Sequence, residues 1–226
     1  MKSVLRQIAM LMIGLVLFIG LPFLGWGITN IAGFMENPAR VGYIVLMVVG
    51  QILAVIMIPN IGQHDDEGKK LVPRQKLALL FLQILSLAIV IVAPYSDRRG
   101  FWAFPDTDWL RYLGLFPYAF GFVLMHWAQL RLDKQFSVQV TIQEDHRLIT
   151  DGPYKYLRHP RYVGIISFMT GISMIFRSAA ALGVTALVVA VLLWRIHDEE
   201  ILLRDQFGEE WKAYCSRTWR LLPWVY

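Results

Sequence analysis

Six apolar blocks, each near the roughly 20 residues that a helix needs to cross a bilayer, dominate this 226-residue chain and limit what it can fold into. They run over about Ile8–Ile28, Val41–Pro59, Leu77–Ala93, Trp109–Leu130, Tyr162–Phe176 and Ala179–Ile196. Hydrophobic residues make up 56% of the chain, charged residues only 17%, and the mean hydropathy is +0.48, beyond what a soluble globular domain carries. The fold class expected is all-α, a multi-pass transmembrane bundle of about six helices. No repeat, low-complexity run or Gly/Ser linker divides it, so residues 1–226 read as one domain, with N-terminal membrane helices over 1–130 and the chemistry in 131–226. The first block is too long for a signal-peptide core, and no small-x-small site follows Trp26-Gly27, so it reads as a retained span.

A net charge of +5 on a soluble protein would suggest nucleic acid; on a membrane protein the placement of Lys and Arg matters more. With a cytoplasmic N-terminus, 17 of the 22 fall on inner segments, and only Arg40, Arg98, Arg99, Arg111 and Arg177 fall outside. The positive-inside rule then places both termini and the active site on the cytoplasmic side; the membrane expected is a bacterial inner membrane, with membrane lipids and not nucleic acid as surroundings. The single Cys215 excludes an intramolecular disulfide and a cysteine-based zinc site. The loop Asn60–Lys76, with His64 beside acidic residues, reads as solvated chain. His64, His126, His146, His159 and His197 show no His-x-x-His or His-x-x-x-His spacing, which argues against a membrane metal oxygenase; no metal is expected.

Two polar stretches stand out between the apolar blocks: Gly152-Pro153-Tyr154-Lys155-Tyr156-Leu157-Arg158-His159-Pro160-Arg161-Tyr162, and Arg195-Ile196-His197-Asp198-Glu199-Glu200. Ionisable groups at a bilayer edge are costly to desolvate, so such a cluster is a functional-site hypothesis. Either stretch alone reads as juxtamembrane charge or a solvated helix extension, and their joint occurrence favours function. Upstream, Phe136–Gln143 alternates apolar and polar residues as an extended segment does, with Gln139 on the polar face. Asp151-Gly152-Pro153 marks a turn, His159 is pushed out of helical geometry by Pro160, and Pro160 suits a helix's first turn.

The hairpin that follows is uneven. Arg161–Phe176 gives about 16 residues or about 24 Å of helix, against a hydrocarbon core near 30 Å. Its partner, from a Ser178 N-cap to a Gly208 stop, would be about 30 residues long, its last third in the cytoplasm. There Arg195 and Glu199 share a face, and Glu200 and Arg204 are expected to pair. Tyr156, Trp194 and Trp211 read as interface anchors. The short helix suggests a lateral opening for an apolar tail, which bulky residues at Gly164 or Gly171 would block.

The C-terminal half resembles the membrane-bound isoprenylcysteine carboxyl methyltransferase family, relatives of the phospholipid methyltransferases. The resemblance rests on His146-Arg147-Leu148-Ile149, on Gly-Pro-Tyr-x-Tyr-x-Arg-His-Pro-x-Tyr over 152–162, on Arg195 and Glu199-Glu200, and on Phe207-Gly208-Glu209-Glu210-Trp211. It implies S-adenosyl-L-methionine as methyl donor, bound at the cytoplasmic face by the C-terminal half. Contacts carried over by motif position are Gln139, His146, Arg147, Leu148, Ile149, Tyr154, His159, Pro160, Arg161, Tyr162 and Glu199, with Arg195 and Glu199 catalytic and Arg195 toward the substrate. The acceptor implied is lipid-like or a small molecule, a carboxylate first among them, with a thiol or amine also admissible.

Residue chemistry is compatible. Tyr154 and Tyr162 offer aromatic faces to a cation, Glu199 accepts from ammonium or ribose hydroxyls, and the planar Arg195 guanidinium suits a carboxylate. Two alternatives stand: a nicotinamide enzyme of the sterol reductase type, whose members carry more membrane helices, and a non-catalytic membrane protein that kept the fold.

Overall fold

The most extensive helix contact among the described residues runs through glycines. The computed structural model describes residues 2–57, 74–132 and 148–223, and in it α6 (Asp108–Leu132) and α7 (Pro160–Ile175) form the closest pair. A Cβ on Gly164 would lie 2.7 Å from Met125 Cγ, and one on Gly171 would collide with the Tyr118 backbone. Helices in lipid gain little from burying apolar surface against each other, so small residues that admit close backbone approach decide where they meet. Gly164 and Gly171 therefore seal α7 against α6, and the lateral opening expected beside them is absent from that seam.

Around this pair stand α4 (Pro38–Met57), α5 (Arg74–Arg99) and α8 (Ala179–Cys215), with α1 (Lys2–Leu15), α2 (Leu21–Trp26) and α3 (Ile31–Met35) at the N-terminal edge. Of the six apolar blocks, four became helices long and apolar enough to cross a membrane alone: α4, α5, α6 and α8. The first block is no single rod. A π-helical stretch, Val16–Gly20, joins α1 to α2, and the chain then bends by 86° at Gly27, so this path counts as at most one broken span. Gly27 has φ +107° and leaves space that the Arg98 guanidinium fills, donating to the carbonyls of Trp26 and Gly27, so no side chain fits there. The fifth block is α7, 16 residues, as short as its sequence indicated.

α8 is longer than expected. Ser178 caps it, accepting from Ala181 N at 3.0 Å, but Gly208 only kinks the chain, with φ +51°, and helix resumes to Cys215. At 37 residues it is about 55 Å long, so its last turns extend beyond any hydrocarbon core.

The end opposite the two polar stretches is locked by charge. Asp97, 4% exposed, accepts from Arg40 Nη1 at 3.2 Å, from Arg111 Nη1 and Nη2 at 2.6 and 2.8 Å, and from Arg177 Nε at 2.7 Å. Arg111 also donates to Asp106 at 2.8 Å. Three arginines that sequence reading could only count as loop charges thus tie α4, α5, α6 and the α7–α8 turn to one carboxylate. No periodicity marks such a cluster, because its members come from four places in the chain.

Candidate active site

The site begins with a turn that glycine permits. Gly152 has φ +56° and sits against the Arg131 side chain; the 3-10 turn Gly152–Lys155 follows, with Tyr154 N bonded to Asp151 O at 3.0 Å. Tyr154 is buried, and its carbonyl accepts from the Tyr214 hydroxyl at 2.7 Å. Burial raises the Tyr154 phenol well above its usual pKa, with the nearby Glu199 charge adding to the effect, so it presents a neutral ring at physiological pH.

A short backbone ladder holds the next residues. Arg158 N donates to Trp219 O at 2.8 Å, Trp219 N to Tyr156 O at 3.1 Å, and His159 N to Arg220 O at 3.2 Å. The C-terminal segment thus doubles back along Tyr156–His159. His159 then leaves extended geometry for helix: Pro160 occupies the first position of α7, and Tyr162 N bonds back to His159 O at 3.1 Å.

Arg195 and Glu199, one turn apart on α8, meet the start of α7 through a single hydroxyl. Arg195 Nε donates to Tyr162 Oη at 2.7 Å, and that hydroxyl donates to Glu199 Oε2 at 2.8 Å. The His159 ring stacks on Tyr162 with centroids 5.5 Å apart and planes 10° from parallel, and its Nδ1 lies 3.9 Å from Glu199 Oε2. Arg161 is within electrostatic reach of Tyr154, Tyr162, Arg195 and Glu199. Six of the residues singled out, Tyr154, His159, Arg161, Tyr162, Arg195 and Glu199, therefore share one cluster of buried rings, guanidinium groups and a carboxylate. Tyr162 and Arg195 are buried, whereas the Glu199 side chain keeps 30% of its exposure.

Pro160 is buried beneath the cluster, and Leu148 and Ile149 are half-buried in the irregular segment before Gly152. Gln139, His146 and Arg147, with the extended segment Phe136–Gln143, lie outside the described residues, as do His64 and most of its loop.

Glu200 points elsewhere than its helical spacing from Arg204 indicates. It is buried, and instead of pairing with Arg204, which is exposed, it faces the start of α7. Its carboxylate binds Arg158 Nε at 3.0 Å and Arg220 Nη2 at 2.5 Å, with His159 Nε2 at 3.3 Å. Position 200 continues the buried face of Leu192 and Ile196, which turns it inward. Arg158 also donates to the carbonyls of Thr218 at 2.6 Å and Cys215 at 3.2 Å, so this group ties the C-terminal segment under the site. Trp211 is likewise no interface anchor: it is 2% exposed and packs on Tyr214, 5.6 Å between centroids. Tyr156 is exposed and Trp194 half-buried. Neither Tyr214 nor Arg220 carried a sequence signal beyond lying near the C-terminus.

Chemically, the arrangement suits a ligand that carries positive charge beside a carboxyl group. Buried neutral rings line up with a carboxylate, the surroundings that a desolvated cation needs, and the guanidinium groups of Arg161 and Arg195 belong to the same cluster.

Residues 113–205 match the family model described as "Isoprenylcysteine carboxyl methyltransferase (ICMT) family". A probable protein-S-isoprenylcysteine O-methyltransferase of Oryza sativa subsp. indica is 24% identical over 165 residues, 70% of this chain and 84% of that protein. Protein-S-isoprenylcysteine O-methyltransferase B of Arabidopsis thaliana is 27% identical over 66% of this chain and 78% of its own length. The Xenopus laevis protein-S-isoprenylcysteine O-methyltransferase reaches 32% identity over 54% of this chain, which spans 44% of that longer protein. Among solved structures, the eukaryotic intramembrane Ras methyltransferase ICMT superposes with a TM-score of 0.56 at 20% identity, covering 99% of this chain and 77% of that one, a likeness of fold.

Proposed function

We propose, from the match of residues 113–205 to the isoprenylcysteine carboxyl methyltransferase family model, a membrane enzyme that moves a methyl group from S-adenosyl-L-methionine to the carboxylate of an isoprenylated cysteine. The observation that carries this reading is the chain of contacts Arg195–Tyr162–Glu199, which couples a buried guanidinium to a carboxylate across the two polar stretches.

The residues present fit the donor. The neutral rings of Tyr154 and Tyr162 would face its cation, Glu199 would accept from its ammonium or ribose hydroxyls, and Arg161 would meet its carboxylate. Bound there, the group supplies a methyl activated by a sulfonium. An acceptor carboxylate is already ionised at neutral pH, so this protein need hold no general base for it; Arg195 orients the anion by its two-pronged donor edge. Direct displacement at that methyl would ask no proton transfer of this protein, so Arg195 would serve to hold the acceptor oxygen in line. Rate then comes from alignment at near-attack distance and from excluding water, which buried Tyr154, Tyr162 and His159 promote. By the positive-inside rule the site faces the cytoplasm, where the donor is soluble and the acceptor's tail stays in the bilayer.

The test is transfer of labelled methyl by detergent-purified protein across a panel of isoprenylcysteine, free thiol and lipid amine acceptors. A base-labile methyl ester formed only on the isoprenylcysteine supports the reading. Label on a thiol or amine instead, or on none, refutes it.

A further inference from the structure

The part of α8 that carries the site holds a carboxylate which the chemistry above does not use. Asp198 stands three residues after Arg195, a spacing at which helical side chains are neighbours. Side chains on a helix lean toward its N-terminus, so Asp198 leans toward the turn that holds Arg195. A carboxylate so placed can reach the guanidinium and take the donor edge that an acceptor carboxylate needs. In the structure Asp198 is engaged from the other side: Gln75 Nε2 donates to Asp198 Oδ2 at 2.9 Å. Gln75 is 2% exposed in the first turn of α5, a helix that packs along α8.

The manner of this contact points to a task other than joining helices. A carboxylate only accepts, so the amide turns its nitrogen to Asp198 and its oxygen away, and that Oε1 is buried without a hydrogen-bond partner. A buried acceptor left unpaired loses its hydration with no return, so an apolar side chain of similar shape would fill the same space at lower cost. Asp198 is only half-buried and water could serve it as well. The pair adds little cohesion, yet it fixes where one carboxylate points, one turn from Arg195. Glu199, the other acidic residue within a turn of Arg195 on this flank, is treated alike, since the Tyr162 hydroxyl donates to it at 2.8 Å. Each of these two carboxylates is thus given a neutral donor.

We propose that Asp198 is a built-in competitor for the Arg195 guanidinium, and that Gln75 is a positioning residue that holds it off, so that the acceptor's carboxylate meets Arg195 without that rival. This rests on the role given to Arg195 under the function proposed above.

The test is equilibrium binding of a labelled N-acetyl-S-isoprenylcysteine to the full-length protein in lipid nanodiscs, saturated with S-adenosylhomocysteine, with steady-state kinetics in parallel. Gln75→Met keeps the length of the side chain and removes both the donor and the orphaned oxygen. It should raise Kd and KM for the acceptor by about ten-fold or more, with kcat, S-adenosyl-L-methionine affinity and the unfolding midpoint no worse than in wild type. Adding Asp198→Asn removes the competitor and should return Kd to within about two-fold of wild type, a coupling that a merely structural contact would not show. The methyl ester of the same isoprenylcysteine lacks the contested charge and should bind wild type and Gln75→Met alike. Unchanged acceptor affinity in Gln75→Met, a loss that Asp198→Asn does not reverse, an equal loss for acid and ester, or a parallel loss of S-adenosyl-L-methionine affinity overturns the proposal. Binding needs no turnover, so the two readings fail separately. A wild type that binds no isoprenylcysteine refutes the acceptor class and this inference with it, whereas wild-type binding that Gln75→Met leaves unchanged refutes this inference alone.

Discussion

At the scale of single residues, the Tyr162 hydroxyl has the most to do, since it both accepts from Arg195 and donates to Glu199. Tyr162→Phe keeps the ring that stacks on His159 and removes only the oxygen. A buried group that loses its hydrogen-bond partner costs about 1–3 kcal/mol, so kcat/KM should fall by about ten-fold or more while the protein still folds. Steady-state kinetics with thermal unfolding as control decide this; unchanged kcat/KM would show that the hydroxyl is ornamental. Arg195→Ala should act differently, depressing kcat while calorimetric affinity for S-adenosyl-L-methionine stays near wild type. A loss of donor affinity that matches the loss of turnover would place Arg195 on the donor instead of the acceptor. Sequence showed Arg195 and Glu199 on one helical face through their four-residue spacing. It could not show the tyrosine oxygen between them, because Tyr162 belongs to another helix and only packing brings it across.

At the scale of elements, three separate parts of the chain converge on Asp97 of α5, and this convergence fixes how α4, α5 and α6 stand at the far end. Breaking a buried ion pair by removing one partner leaves uncompensated charge, at a cost of about 3–5 kcal/mol. Asp97→Asn should therefore lower the unfolding midpoint in detergent sharply, although it lies far from Arg195; a shift equivalent to less than about 1 kcal/mol would contradict the account. Asp106 supplies a pH signature. Its bond from Arg111 holds its carboxyl below the ordinary range, against the opposing effect of burial. A depressed folded-state pKa gives stability that is present above the ordinary carboxylate value and lost as pH falls through the folded one. Acid destabilisation below about pH 4 should thus be shallower in Asp106→Asn than in wild type, measured as unfolding midpoint against pH. The elements themselves were largely legible, since long apolar blocks leave helix as the outcome and Ser178 and Pro160 mark their starts. The bend at Gly27 was not, because it depends on Arg98 reaching across from α5. The extension of α8 past Gly208 was missed for a similar reason: buried Trp211 and Tyr214 hold the resumed helix, overriding a stop signal that is only local.

For the whole molecule, the two ends differ in kind. One is a closed charge cluster around Asp97 that braces the helices. The other gathers a turn, the start of α7, the last turns of α8 and the returning C-terminal segment around Glu199 and Glu200. Between them the glycine seam of α6 and α7 sets the spacing. In this account the donor comes from water to the second end and the acceptor comes from the bilayer, so one fold meets two solvents at one reaction centre. Titration calorimetry of the detergent-purified protein with S-adenosyl-L-methionine, repeated on Glu199→Gln, tests this most directly. Saturable binding by the wild type, weakened by about ten-fold or more in the variant, is the predicted result. No saturable heat in the wild type, or equal affinity in both proteins, would contradict it.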